Sequence, residues 1–135
     1  MTTLDTAETE KIADSAAQVR AAVDAVLAAH DPAATDRRNF LEAVFDAGLA
    51  WVHHPVGAGG LGLDPSLQRV ADDALWAAGA PRPAAGIAMG MAAPTLAAHG
   101  TAAQHQRFLR PLYAGEKWCQ LFSEPGAGSD LASLA

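Results

Sequence analysis

The sequence predicts an all-α domain of about five helices, with one nascent β-strand and a ligand loop at its C-terminal end. Three observations carry that prediction. Half of the 135 residues are hydrophobic but only 6% are aromatic, so the apolar mass is carried mainly by alanine, which forms helices best and packs closely between them. Apolar residues recur at three- and four-residue steps in much of the chain, the period of a helix face. A sustained period of two appears near the end, over residues 118–123.

The first helix is predicted over 6–30, where Ile12, Ala16, Val19, Val23 and Val26 share a face. Asp31-Pro32 breaks it. A second helix turns Phe40, Leu41, Val44 and Phe45 inward and ends at Gly48, the residue type that closes a helix in a left-handed conformation. Residues 51–63, WVHHPVGAGGLGL, hold one proline and four glycines and read as a long loop. Asp64-Pro65 restarts a helix, because Asp accepts from the unpaired N–H groups and Pro fits the first turn. That third helix runs through Leu67, Val70, Ala71, Ala74 and Leu75 to Gly79.

Pro81 and Pro83 lead into a small-residue helix, kinked or divided at Pro94, that reaches Gly100. At helical spacing, its Gly86, Gly90, Ala93 and Ala97 form a small-residue stripe on one face. Thr101 and Gln104 stand at capping-box spacing and open a fifth helix toward Leu109. After Gly115, Trp118, Gln120 and Phe122 alternate with Cys119, Leu121 and Ser123, which predicts the strand.

A formal net charge of -6 leaves no basic face for nucleic acid or an anionic membrane, and neither is expected as a partner. The longest apolar stretch, 87–99, is interrupted by Gly90 and Pro94 and is shorter than the roughly twenty residues that cross a bilayer. The first fourteen positions carry four acidic residues and one lysine with no apolar run, unlike a secretion signal. A cytoplasmic location is expected. Cys119 has no second cysteine to pair with and reads as a small buried group in the strand. His53-His54 is read as structural rather than a metal pair, since adjacent side chains diverge in most backbones and no third ligand lies nearby in sequence. No metal site is expected.

The chemistry concentrates in SEPGAGSD, residues 123–130. Gly126 and Gly128 admit close backbone approach, Ser123 and Ser129 offer hydroxyls, and successive N–H groups can form an anion-binding nest, so a phosphate or a flavin fits. An ordinary surface turn has the same composition.

The flanks add specificity. Residues 93–135 contain His99-Gly100, Phe108-Leu109-Arg110-Pro111, Gly115-Glu116 and the Ser123 to Asp130 loop, and upstream stand Ala47-Gly48-Leu49, Pro55 and Gly59-Gly60-Leu61-Gly62. In this order and spacing the chain resembles the acyl-CoA dehydrogenase family along most of its length, with [ST]-E-P-x-x-G-S-D its most specific motif. The resemblance implies an N-terminal helical domain over 1–115 and the incomplete beginning of a middle β domain over 116–135. It implies FAD as cofactor, an acyl-CoA substrate oxidised to the trans-2-enoyl-CoA, an electron-transfer flavoprotein as acceptor and a homo-oligomer at full length.

By the same resemblance Gln120, Phe122 and Ser123 lie against the flavin, Gly128 and Ser129 contact the cofactor, and Ser129 also contacts the substrate. The family's catalytic glutamate lies in a later helical bundle, so this chain is expected to be a truncated portion with no catalytic residue of its own, and inactive alone. Glu124 corresponds to a structural position. Two alternatives stand beside this reading: a related flavoprotein of the nitroalkane oxidase or flavin monooxygenase type, and a non-catalytic helical binding module.

Overall fold

The structure is a computed structural model that describes residues 6–121, 123–125, 128, 129 and 132. Helix α1 (Thr6–Ala29) is 24 residues long and buries Ala16, Val19, Val23 and Val26 as their spacing predicts, while Ile12 on the same face remains 45% exposed. Asp31 then turns the chain by accepting from the Ala33 N–H at 2.9 Å, as an aspartate beside a proline readily does. Asp36 caps helix α2 (Arg37–Asp46) through bonds from the Arg38 and Asn39 N–H groups. Phe40, Leu41, Val44 and Phe45 enter the core from α2.

Asp64 and Pro65 start the next element as expected, Asp64 accepting from Ser66 N–H at 2.8 Å. The first turn is a tight 3-10 turn, Pro65–Leu67, before α3 (Gln68–Ala77). Helix α3 packs on α1 and buries Ala71 and Leu75.

Prolines shape the rest. A wide π-helical turn, Ala88–Ala92, precedes α4 (Ala93–His99), and a second, His105–Leu109, separates α5 (Ala102–Gln104) from α6 (Arg110–Tyr113). Pro94 and Pro111 stand in the first turns of α4 and α6. A proline inside an α-helix lacks a donor and its ring meets the carbonyl four residues back, here Gly90 and Arg107, both within the widened turns. Widening the coil ahead of each ring is a recognised way to keep a helix running past such an obstacle. The division expected at Pro94 is therefore a change of pitch, and the last helical run continues past Leu109 to Tyr113. Thr101 and Gln104 form the expected capping box, with Thr101 N–H to Gln104 Oε1 at 2.7 Å and Gln104 N–H to Thr101 Oγ1 at 3.3 Å.

Helix α2 lies between α1 and α6, and Leu49, Val52, Leu109 and Leu112 complete a core with its apolar face. The 51–63 loop is tightly built rather than loose. Trp51 N–H donates to the Gly59 carbonyl at 3.0 Å, and the Leu61 and Leu63 N–H groups both donate to the Val52 carbonyl, at 3.1 and 3.0 Å. A Cβ on Gly60 would run into the His54 carbonyl, and one on Gly59 would meet the Phe45 ring at 2.5 Å. Both glycines are fixed by space, and Gly59 also by its φ of 82°.

Residues 118–121, which begin the strand expected over 118–123, belong to no ladder. A strand requires a neighbour to receive its N–H and C=O groups, and the described residues offer it none.

Candidate functional site

The segment that bears the predicted site leaves α6 at Gly115 and returns along the edge of the helical layer. Two contacts hold it there. Trp118 sets its ring edge-to-face on Phe108, with centroids 5.6 Å apart, and its indole N–H donates to Glu116 Oε1 at 3.2 Å. Gln120 reaches the π turn before α4, where its Nε2 donates to Met91 Sδ at 3.3 Å. A thioether is a weak acceptor, so this bond orients more than it stabilises.

Beyond Gln120 the described residues of the loop are exposed: Ser123, Glu124, Pro125, Gly128 and Ser129. The loop turns back on itself, since a Cβ built on Gly128 would stand 3.7 Å from Ser123 Oγ. The structure thus brings Ser123 and Gly128 together and attaches Gln120 to Met91. Ser129 is exposed beside Gly128, and Phe122 lies outside the described residues. An amide, two hydroxyls and a glycine without side-chain bulk suit the polar edge of a flat cofactor, which needs donors and acceptors with nothing large in front of them.

Several sequence expectations change here. Cys119 is exposed, not buried, and Leu121 is 89% exposed, so over the described residues 118–121 the alternation does not become an inside and an outside. Without a paired strand there is no sheet face to bury either set. The small-residue stripe is also broken. Gly86 has φ 126° and precedes the helical turn, Gly90 faces open space, and Ala93 is fully buried. The wider pitch of Ala88–Ala92 shifts residues off the α-helical register on which the stripe depends.

His53 and His54 do not diverge: their rings meet edge-to-face with centroids 4.7 Å apart. Among the described residues, no three His, Cys, Asp or Glu side chains gather as a metal site. No helix among them is long and apolar enough to cross a membrane.

Sequence reasoning missed Met91 as the anchor of Gln120, because nothing in the spacing links positions 29 residues apart. It also missed a pocket of about 200 Å³, partly open to solvent and lined by Trp51, Gln68, Asp72, Met89 and Tyr113 among others. Burial raises the Asp72 carboxyl above its ordinary value, opposed by the hydrogen bond from Gln68. Burial likewise raises the Tyr113 hydroxyl, and the Asp72 charge adds to the shift.

Fold and site together define a helical domain that presents an exposed, hydroxyl-bearing glycine loop along one edge. Residues 6–116 match the family described as acyl-CoA dehydrogenase, N-terminal domain, and the chain belongs to that family. It is similar to Acyl-CoA dehydrogenase FadE34 of Mycobacterium tuberculosis, with 50% identity over 93 residues that cover 68% of this chain and 13% of the relative. It is 40% identical over 101 residues to Acyl-CoA dehydrogenase IpdE1 of the same organism, covering 74% of this chain and 26% of the relative. Acyl-CoA dehydrogenase IpdE1 of Mycolicibacterium smegmatis is 37% identical over 101 residues, with the same coverage. The chain therefore spans between 13% and 26% of the length of these relatives. No solved structure matches it significantly.

Proposed function

We propose that this chain forms the N-terminal helical part, and the first cofactor-facing segment, of a cytoplasmic FAD-dependent dehydrogenase that converts an acyl-CoA thioester to the trans-2-enoyl-CoA. The observation that carries the reading is continuity: the family match runs to residue 116, and Gln120, Ser123, Gly128 and Ser129, all exposed, follow a few residues on. The domain division at 115/116 belongs to the same proposal.

In this reading Gln120, Phe122 and Ser123 meet the edge of the flavin, Gly128 keeps the backbone near it, and Ser129 donates to cofactor or to the CoA part of the substrate. FAD, when bound, supplies the acceptor for the hydride that leaves the β carbon as a base removes the α proton. This chain's residues bind and orient; no residue in it is assigned as that base. An electron-transfer flavoprotein would take the two electrons onward, and the complete protein would be a homo-oligomer.

The test is to express the complete reading frame that contains this chain and add a series of acyl-CoA thioesters without oxygen. Purification with a flavin that bleaches on addition of an acyl-CoA supports the reading. A colourless protein, or a flavin reduced by nitroalkanes and indifferent to every thioester, rejects it.

A further inference from the structure

The 51–63 loop contains one buried polar side chain that its hydrogen bonds do not explain. His54 is 8% exposed, and its Nδ1 is buried without a hydrogen-bond partner. Its ring stacks on Trp51 with centroids 4.9 Å apart and an interplanar angle of 29°, and the His53 ring closes on it edge-on at 4.7 Å. The backbone of the same residue ties the loop shut: the Gly62 N–H donates to its carbonyl at 2.8 Å, and its own N–H donates to the Trp51 carbonyl at 2.8 Å.

We propose that the His53–His54 pair makes the 51–63 loop an acid-sensitive latch, closed while His54 is neutral and opened when it takes a proton. Protonation would put a positive charge on a buried ring whose Nδ1 has no hydrogen-bond partner and which the Ala58 backbone alone favours, and a poorly compensated buried charge drives its own exposure to water. The charged groups that face His54 make the cost larger. His53 lies against it, and His105, whose ring nitrogen sits 2.8 Å from the Leu96 carbonyl, acts on it from the last helical run. Each repels when protonated. No carboxylate is among the groups that act on it.

Burial first, then the His53 charge, hold the His54 imidazole below its ordinary value, with a backbone hydrogen bond to Ala58 pulling the other way. The opened loop, with an ordinary imidazole near pH 6.5, binds the proton more readily than the closed one. The closed state is therefore fully favoured above about pH 7 and loses ground as pH falls through about 6.5 toward the lower closed-state value. The latch draws only on the described loop and stands whether or not the chain serves a flavoprotein.

The experiment uses the 135-residue chain and NMR from pH 8 to pH 5, following the His54 ring protons and the exchange of the Leu61, Gly62 and Leu63 amides, normalised to their intrinsic rates. The expected result is a His54 midpoint below that of an exposed histidine, and a several-fold loss of protection at all three amides on acidification. His54→Phe keeps a ring against Trp51 and cannot be protonated, so its protection should not change with pH. Should that variant fail to fold, His53→Ala removes the adjacent like charge and should move the His54 midpoint upward. Protection independent of pH in the parent chain, the same acid loss in His54→Phe, or an unmoved midpoint in His53→Ala overturns the latch.

Discussion

Arg110 grips Asp46 with two parallel bonds, Nε to Oδ1 and Nη2 to Oδ2, each 2.7 Å long, and so joins α6 to the last residue of α2. Its remaining nitrogen reaches Glu42 Oε2 at 2.9 Å, and Arg38 holds the other Glu42 oxygen at 2.9 Å. This fork-to-carboxylate geometry is specific to arginine. The partners are 41% and 53% exposed, so water screens much of the attraction. Arg110→Lys should lower stability by about 0.5 to 1 kcal/mol, and less at high salt. Urea unfolding of a double-mutant cycle with Asp46→Asn measures the coupling; additive single effects would mean the two parallel bonds contribute nothing.

Glu42 gives the same cluster a pH dependence. The hydrogen bond from Arg38 holds its carboxyl below the ordinary value, burial opposes this, and the Arg110 charge adds to the lowering. Because the folded form holds the proton less tightly than the unfolded one, the stabilisation is complete above the ordinary carboxylate range and is lost as pH falls through the depressed folded value. Glu42→Gln should flatten the urea midpoint between pH 5 and pH 3 relative to the parent; parallel acid limbs would contradict the assignment.

Gln68 pins the long loop to α3. Its Nε2 donates to the Leu49 carbonyl and to Asp72 Oδ1, both at 3.0 Å, and its Oε1 accepts from the Val52 N–H at 2.8 Å. Gln68→Leu leaves two half-buried backbone groups without partners and should cost about 2 to 3 kcal/mol. Gln68→Glu keeps the acceptor for Val52 but sets a carboxylate beside Asp72, so its stability should recover on acidification. Thermal melts at pH 7 and pH 5 distinguish the two variants.

The glycines of the loop are unequal. Gly60→Ala drives a methyl into the His54 carbonyl, whereas a Cβ on Gly57 meets nothing within 4 Å and bears only the strain of φ 86°. Gly57→Ala should cost about 1 to 2 kcal/mol, and Gly60→Ala should cost more, because backbone rather than a flexible side chain must yield. Comparison of their melting temperatures checks the order.

Under the proposed function, Ser129→Ala should weaken acyl-CoA binding by about 0.5 to 1.5 kcal/mol, the value of one neutral hydrogen bond. Gly128→Val should lower flavin content instead. The nearest atom to a new Cβ there is Ser123 Oγ, at an ordinary 3.7 Å, so the helical domain itself should fold normally. Flavin absorbance per protein and titration with an acyl-CoA separate the two effects; unchanged values in both variants would remove these residues from the site.

Much of the helical architecture was legible in the sequence because its signals are local. The Asp64-Pro65 start, the Thr101–Gln104 box and the three- and four-residue steps of Val19, Val23 and Val26 each need only neighbours within a turn. What the tertiary structure decided depends on partners distant in the chain. Arg110 finds Asp46 across 64 residues and Gln120 finds Met91 across 29, and spacing carries no information about such pairs. Pro94 and Pro111 mark interruptions in the sequence, but packing in three dimensions kept the helices running through widened turns. The strand shows the converse: alternation at 118–123 is a property of the sequence, whereas inside and outside exist only once a second strand lies beside it. His54 went unread for the same physical reason, since a histidine becomes a switch through the groups that enclose it, and that enclosure is made by the folded loop.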